Sequence, residues 1–228
     1  MLKLYFKIKL FFLSLFLIHY KNFYTFILKN NKISKSQLFQ DLFVQYIFDK
    51  KKEGIFVEIG GGNGSDISNT VLLEKKYQWS GIICEPNRYL QKIIKKNRIA
   101  KVENKPITKH CQNKIFFYEN TDGYASSIFK KDSDNLRYET KSICLNHLFI
   151  KYKLPNTIDY ISLDTEGNEL DIISKFNFKK YKVKIFTIEH NFNEDSRRKV
   201  HSIMINNGYE KIFGAISYMD DWFKIKKN

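Results

Sequence analysis

Residues 56–64 read Phe-Val-Glu-Ile-Gly-Gly-Gly-Asn-Gly, an apolar run that carries one acid and then glycines at Gly60, Gly62 and Gly64. A short apolar run bounded by turn residues is the pattern of a buried strand. Glycines at its end let the chain turn sharply with positive φ and let a ligand lie against bare backbone. A helix that follows points its free N–H groups into the same cleft. In open α/β sheets, that crevice beyond the carboxyl ends of the strands is where nucleotide-like ligands sit.

The spacing narrows the ligand. A dinucleotide site needs a third glycine three places after the second, and Ser65 stands there. Glu58, two places before Gly60, can accept hydrogen bonds from a cationic or amine-bearing ligand, the pattern of S-adenosylmethionine (SAM) sites. A plain glycine-rich turn is the competing reading. The run Gly-Ile-Ile-Cys-Glu ends in Glu85, 21 residues after Gly64. A carboxylate at that distance, on the tip of the next parallel strand, reaches ribose hydroxyls. Between the two strands, Ser68 is a candidate N-cap and Val71, Leu72 and Leu73 supply a buried helix face.

Bulk properties narrow the function classes. The 228 residues suit one domain with a sizeable core and an added anchor. The net charge of +15 resembles a nucleic-acid signal, yet only five basic residues are arginine, the preferred reader of phosphate and guanine. No nucleic-acid partner is therefore expected. Cys84, Cys111 and Cys144 are odd in number and fit neither a zinc pattern nor a disulfide framework, so free thiols in a reducing compartment are expected.

Residues 1–35 stand apart, with seven lysines and no acid. Leu10–Ile18 is apolar except for Ser14, short of the ~20 residues that span a bilayer. Three readings stay open: an uncleaved signal anchor, an interfacial helix, and a soluble hydrophobic helix. Membrane association through this segment is the expectation, with a cytoplasmic domain. The single Asn-x-Ser/Thr sequon, Asn63-Gly64-Ser65, lies in the glycine turn, where a glycan would block the cleft.

Residues 36–228 form the expected domain. Periodicity predicts a helix over 36–50 capped by Ser36, a helix over 88–96, and strands at 101–107 and 114–118. A polar loop is expected at 119–135 and a helix within 143–154. Strands are expected at 158–164 and 183–189, helices at 169–175 and 194–206, and two last strands at 209–213 and 216–224. Strands alternating with helices imply a parallel sheet with right-handed crossovers.

These motifs resemble the FkbM family of SAM-dependent methyltransferases. The similarity runs from Ser36 to about Phe223. It rests on Ser36-Gln37…Gln40-Asp41, the glycine run, Ser68-Asn69-Thr70, Glu85-Pro86-Asn87, Ser126-Ser127, Asp159–Glu169 and Ile188–Asn191. The resemblance implies a class I methyltransferase fold: Rossmann-like α/β, a seven-stranded, mostly parallel sheet with helices on both faces. It implies SAM as cofactor, held by Glu58, Gly60, Gly62, Gly64, Asn69, Glu85 and Asn87. It also implies O-methylation of a glycan or small natural product. A membrane-tethered, Star-like branch of the family acts in trafficking, so a binding module without turnover is the alternative. Gly61 stands where alanine is common, with little effect expected.

Removing an acceptor's proton needs a base at a strand tip. Asp164, Glu166 and His190 are the catalytic candidates, with Glu189 meeting the same positional test. His190 has a suitable pKa, and a structural histidine capping the strand is its alternative. Asp164 can instead position the cofactor's amino group. No ligand spacing points to a metal.

Overall fold

The structure, a computed structural model, describes residues 20–120, 126–130 and 136–226. Five parallel strands form the body of one sheet: β1 (Ile55–Ile59), β2 (Ser80–Cys84), β3 (Lys101–Glu103), β6 (Thr157–Leu163) and β7 (Lys182–Glu189). β9 (Asp220–Ile225) runs antiparallel to both β7 and β8 (Tyr209–Ile212), giving the order β3-β2-β1-β6-β7-β9-β8. This is the class I methyltransferase fold with a seven-stranded, mostly parallel sheet. Chain order reverses between β1 and β6, so the ligand crevice of an open sheet opens there.

Strand alternation divides the core between two faces. Val57 and Ile59 point to the side covered by α4 (Leu145–Lys151), α5 (Glu169–Ser174) and α6 (Glu194–Asn206). Phe56, Tyr160 and Trp222 point to the side covered by α1 (Gln40–Ile47), α2 (Val71–Tyr77) and α3 (Arg88–Asn97). Residues 20–30 are helical and join this second face. Phe23 is fully buried against Phe43, Tyr46, Phe213 and Trp222. Packing therefore continues upstream of Ser36. Residues 1–19, which hold most of the expected anchor, lie outside the described residues. No described helix is long and apolar enough to cross a membrane.

Several expectations need correction. The helix expected from Ser36 starts at Gln40, because Phe39 adopts a left-handed conformation. Ser34 and Ser36 instead donate to the Asp41 carboxylate. The third strand stops at Glu103, whose side chain accepts from Lys105 N. β4 (Lys114–Glu119) does not join the main sheet and pairs antiparallel with β5 (Leu136–Lys141). Most of β5 is exposed and polar, so no hydrophobic period announces it. Cys111 and Cys144 are not free thiols: they form a disulfide, and Cys84 is buried and unpaired. The Thr108 N–H to Ile143 carbonyl bond lays the two segments side by side, a proximity that cysteine counting does not report.

Candidate active site

The glycine turn begins where β1 leaves the sheet. Gly60 N donates to Cys84 O at 3.0 Å. Gly60 has φ +85°, and a Cβ there would lie 1.6 Å from the Asp164 carbonyl oxygen. Gly60 is thus required by the close passage of β1 and the end of β6. Gly62, at φ +53°, faces open space, and its N–H donates to Glu85 Oε2 at 3.0 Å. Gly64 turns away from the cleft and packs on Ile94 and Arg98. A Cβ at Gly61 would come within 2.2 Å of Ile83 Cγ2, so an alanine there would require Ile83 to shift.

A buried polar network holds this turn. Glu58 accepts from Asn69 N at 2.7 Å, Thr70 Oγ1 at 2.6 Å and Ser68 Oγ at 3.0 Å. Ser68 Oγ in turn accepts from Thr70 N and Val71 N at the start of α2. Arg98, at the end of α3, lies 3.6 Å from Glu58 and pairs with Glu74 at 2.9 Å. It also donates to Gly64 O, Ser68 Oγ and Thr70 Oγ1. Arg98 and Glu74 escaped sequence reading, since no strand tip or glycine marks them. Glu58 lines the cleft, but its carboxylate is engaged in ordering the loop.

The cleft encloses about 420 Å³, within the range of small-molecule sites. Gly60, Gly61, Gly62, Asn69, Glu85, Asp164, Glu166 and Glu189 all line it. Asn69 Nδ2 donates to Ser162 Oγ at 2.8 Å, while its Oδ1 is buried without a partner. Glu85 accepts from Gly62 N and Asn87 N, yet burial raises its pKa to about 8. A narrow, mostly apolar slot with Ile107, Phe117 and Ile128 on its wall adjoins the cleft beside Glu85 and Asp164. Asn87 lines neither space. Its side chain caps α3 and donates to Ser126 Oγ, and Ser126 lines both.

The opposite end of the cleft is acidic. Asp164 follows β6. Glu166 is set by a left-handed turn (φ +61°) that the Glu169 carboxylate holds by accepting from Thr165 N and Gly167 N. Glu189 ends β7. Burial, then the facing Glu189, pushes the Asp164 carboxyl well above the usual range, and burial raises Glu189 to about 7. His190 does not join them. Consecutive strand residues face opposite sides, and Glu189 takes the cleft side. The His190 Nδ1 accepts from Phe192 N, and Nε2 lies 3.7 Å from Asp221. Burial lowers its pKa. His190 therefore shapes the turn through Asn191 and Phe192, whose φ values are +44° and +58°.

Comparison with solved structures gives distant likenesses. Precorrin-6y C5,15-methyltransferase from Geobacter metallireducens is 12% identical with a TM-score of 0.43, over 75% of this chain and 72% of that one. The methyltransferase FkbM from Methylobacillus flagellatus is 12% identical with a TM-score of 0.46, over 75% and 43%. A methyltransferase from Pyrococcus furiosus is 12% identical with a TM-score of 0.41, over 79% and 80%. No curated protein matches the sequence. The family described as the methyltransferase FkbM domain matches residues 58–211, a span that holds the glycine turn, both strand-tip acids and the acidic end of the cleft. The chain belongs to the FkbM methyltransferase family, whose fold implies the use of SAM.

Proposed function

We propose that this methyltransferase uses SAM to methylate a hydroxyl group of a glycan or small natural product. One observation carries the reading. Six carboxylates line the cleft (Glu58, Asp66, Glu85, Asp164, Glu166, Glu189), and no lysine or arginine is among the described lining residues. Such a site offers a pyrophosphate no cation, and carboxyls that a positive ligand would ionise suit sulfonium and ammonium charges. The lining residues fit that ligand. Glu85 would take the ribose hydroxyls and the unpartnered Asn69 Oδ1 the ammonium. The edge at 60–62 would bed the backbone-facing side, and the slot of Ile107, Phe117 and Ile128 would take the adenine.

When bound, SAM supplies an electrophilic methyl group. The chain's own residues then have two tasks. The glycine turn and Glu85 would hold the cofactor in place and so orient its reactive group toward the acceptor. The paired Asp164 and Glu189 carboxyls take up the acceptor's proton, and a group near pKa 7 is matched to that role. The N-terminal segment would bring the enzyme to membrane-bound acceptors.

Calorimetry on the full chain tests the cofactor. S-adenosylhomocysteine is expected to bind with one site per chain and NAD to give no heat, whereas NAD binding without S-adenosylhomocysteine binding defeats the proposal. With a hydroxylated-glycan panel, Glu189→Gln should slow methyl transfer by about 10²–10⁴ while SAM affinity stays near normal.

A further inference from the structure

We infer that Asp164, Glu166 and Glu189 form a site for one hard divalent cation, Mg²⁺ or Mn²⁺, at the acceptor end of the cleft. The geometry comes first. One carboxylate oxygen from each residue lies within 4.8 Å of the other two. Oxygens bound to a common ion at about 2.0–2.6 Å are separated by no more than roughly twice that distance, so the three lie close enough for small side-chain movements to bring them onto one ion. An all-oxygen carboxylate set selects magnesium, manganese or calcium over softer metals.

Separate observations point to a cation in that place. Glu189 is 8% exposed and lines the cleft, and its Oε2 is buried with no hydrogen-bond partner. A buried carboxylate oxygen without a donor is costly, and a metal ion is one of the few groups that relieves it. Among the described residues that line the cleft none is lysine or arginine, although the chain as a whole carries a charge of +15. The frame is built to hold its ligands: the Glu169 carboxylate fixes the Thr165–Gly167 turn that presents Glu166. Asp164 N is tied to Ile59 O at 2.9 Å.

The inference uses the acidic end of the proposed methyl-transfer site, but it stands without turnover. A cation there would draw in the acceptor's hydroxyl oxygen and lower its pKa, and the proton would pass to a carboxylate oxygen of Asp164 or Glu189 that the ion leaves free.

The test uses the full-length protein and Mn²⁺ alone, with no SAM, read by loss of the free-ion paramagnetic resonance signal. One Mn²⁺ per chain is expected, displaced by Mg²⁺. Glu189→Gln and Glu166→Gln should each weaken it by about tenfold or more. Asp66→Asn, a cleft acid outside the cluster, should leave it unchanged. No stoichiometric binding at about 1 mM free Mn²⁺ overturns the inference. So does binding that survives both glutamine variants or is lost in Asp66→Asn. S-adenosylhomocysteine titrated into the same variants reports that each is folded. That ligand binding where Mn²⁺ does not would reject the cation site and leave the methyltransferase reading intact. Mn²⁺ binding without S-adenosylhomocysteine binding would do the reverse.

Discussion

Buried beneath the glycine turn, the Arg98 guanidinium donates to Glu74, Ser68, Thr70 and the Gly64 carbonyl, with the Glu58 carboxylate 3.6 Å away. Both acids are buried, so removing the cation leaves charge with no compensation. Arg98→Met is expected to cost about 3–5 kcal/mol, measured by urea denaturation. A lysine should recover little, since one ammonium cannot reproduce the forked contacts. An unshifted midpoint in Arg98→Met would show that the network is idle. Glu85 gives the second prediction at this scale. Its folded pKa is raised from 4.5 to about 8 by burial, with the acids Glu119 and Glu58 adding to the rise. Between those values the folded chain holds a proton that the unfolded chain has lost. Glu85 therefore lowers the stability of the ligand-free protein as pH rises through that window. A ligand whose hydroxyls donate to the ionised carboxylate works in the other direction. Affinity for S-adenosylhomocysteine should rise between about pH 6 and pH 9, and Glu85→Gln should flatten that profile in calorimetry.

Among the elements, the β1 turn separates fold from function within three residues. Gly60 has no room for a side chain against the Asp164 carbonyl, whereas Gly62 faces only open cleft. Gly60→Ala should destabilise the protein by at least about 1–3 kcal/mol through overpacking. Gly62→Ala should cost about 1–2 kcal/mol through its left-handed φ, yet it places its methyl in the open cleft, where the proposed cofactor would lie. Thermal melts and S-adenosylhomocysteine binding on the pair distinguish them: binding weakens in Gly62→Ala without loss of the fold. Equal melting temperatures in Gly60→Ala and the unmodified protein would remove the steric argument. The β7 tip makes a parallel division. Glu189 turns into the cleft, and His190 turns toward Asp221 and anchors the next bend.

For the molecule as a whole, the second core face draws on both ends of the chain. Phe23 lies 4.4 Å from the Phe213 ring and 6.0 Å from the Trp222 ring, centroid to centroid. Phe23→Ala should lose about 3–5 kcal/mol, and a chain beginning at Ser36 should lose at least as much, since Ile27 goes with it. Chemical denaturation of the three proteins checks this. A Ser36 chain as stable as the full one would place residues 20–35 outside the folding unit. The charge distribution is also a whole-molecule property: a strongly basic chain whose candidate cleft is lined by acids.

The sequence alone was enough for the strand–glycine–helix–strand unit, for Glu85 at the second strand tip, and for the acids after β6 and β7. Each is encoded within a few residues, by hydrophobic period, glycine placement and polar strand ends. Tertiary structure decided the rest, because the remaining features depend on which side of a strand faces the switch point and on which segments meet there. It assigned the cleft to Glu189 and not to His190. It set Asn87 to capping a helix and Gly64 to packing on Arg98. It joined Cys111 to Cys144. It also brought Asp164 and Glu166 against Glu189, across α5 and a full crossover. Sequence spacing carries no trace of that encounter, because the register of β6 on β7 creates it.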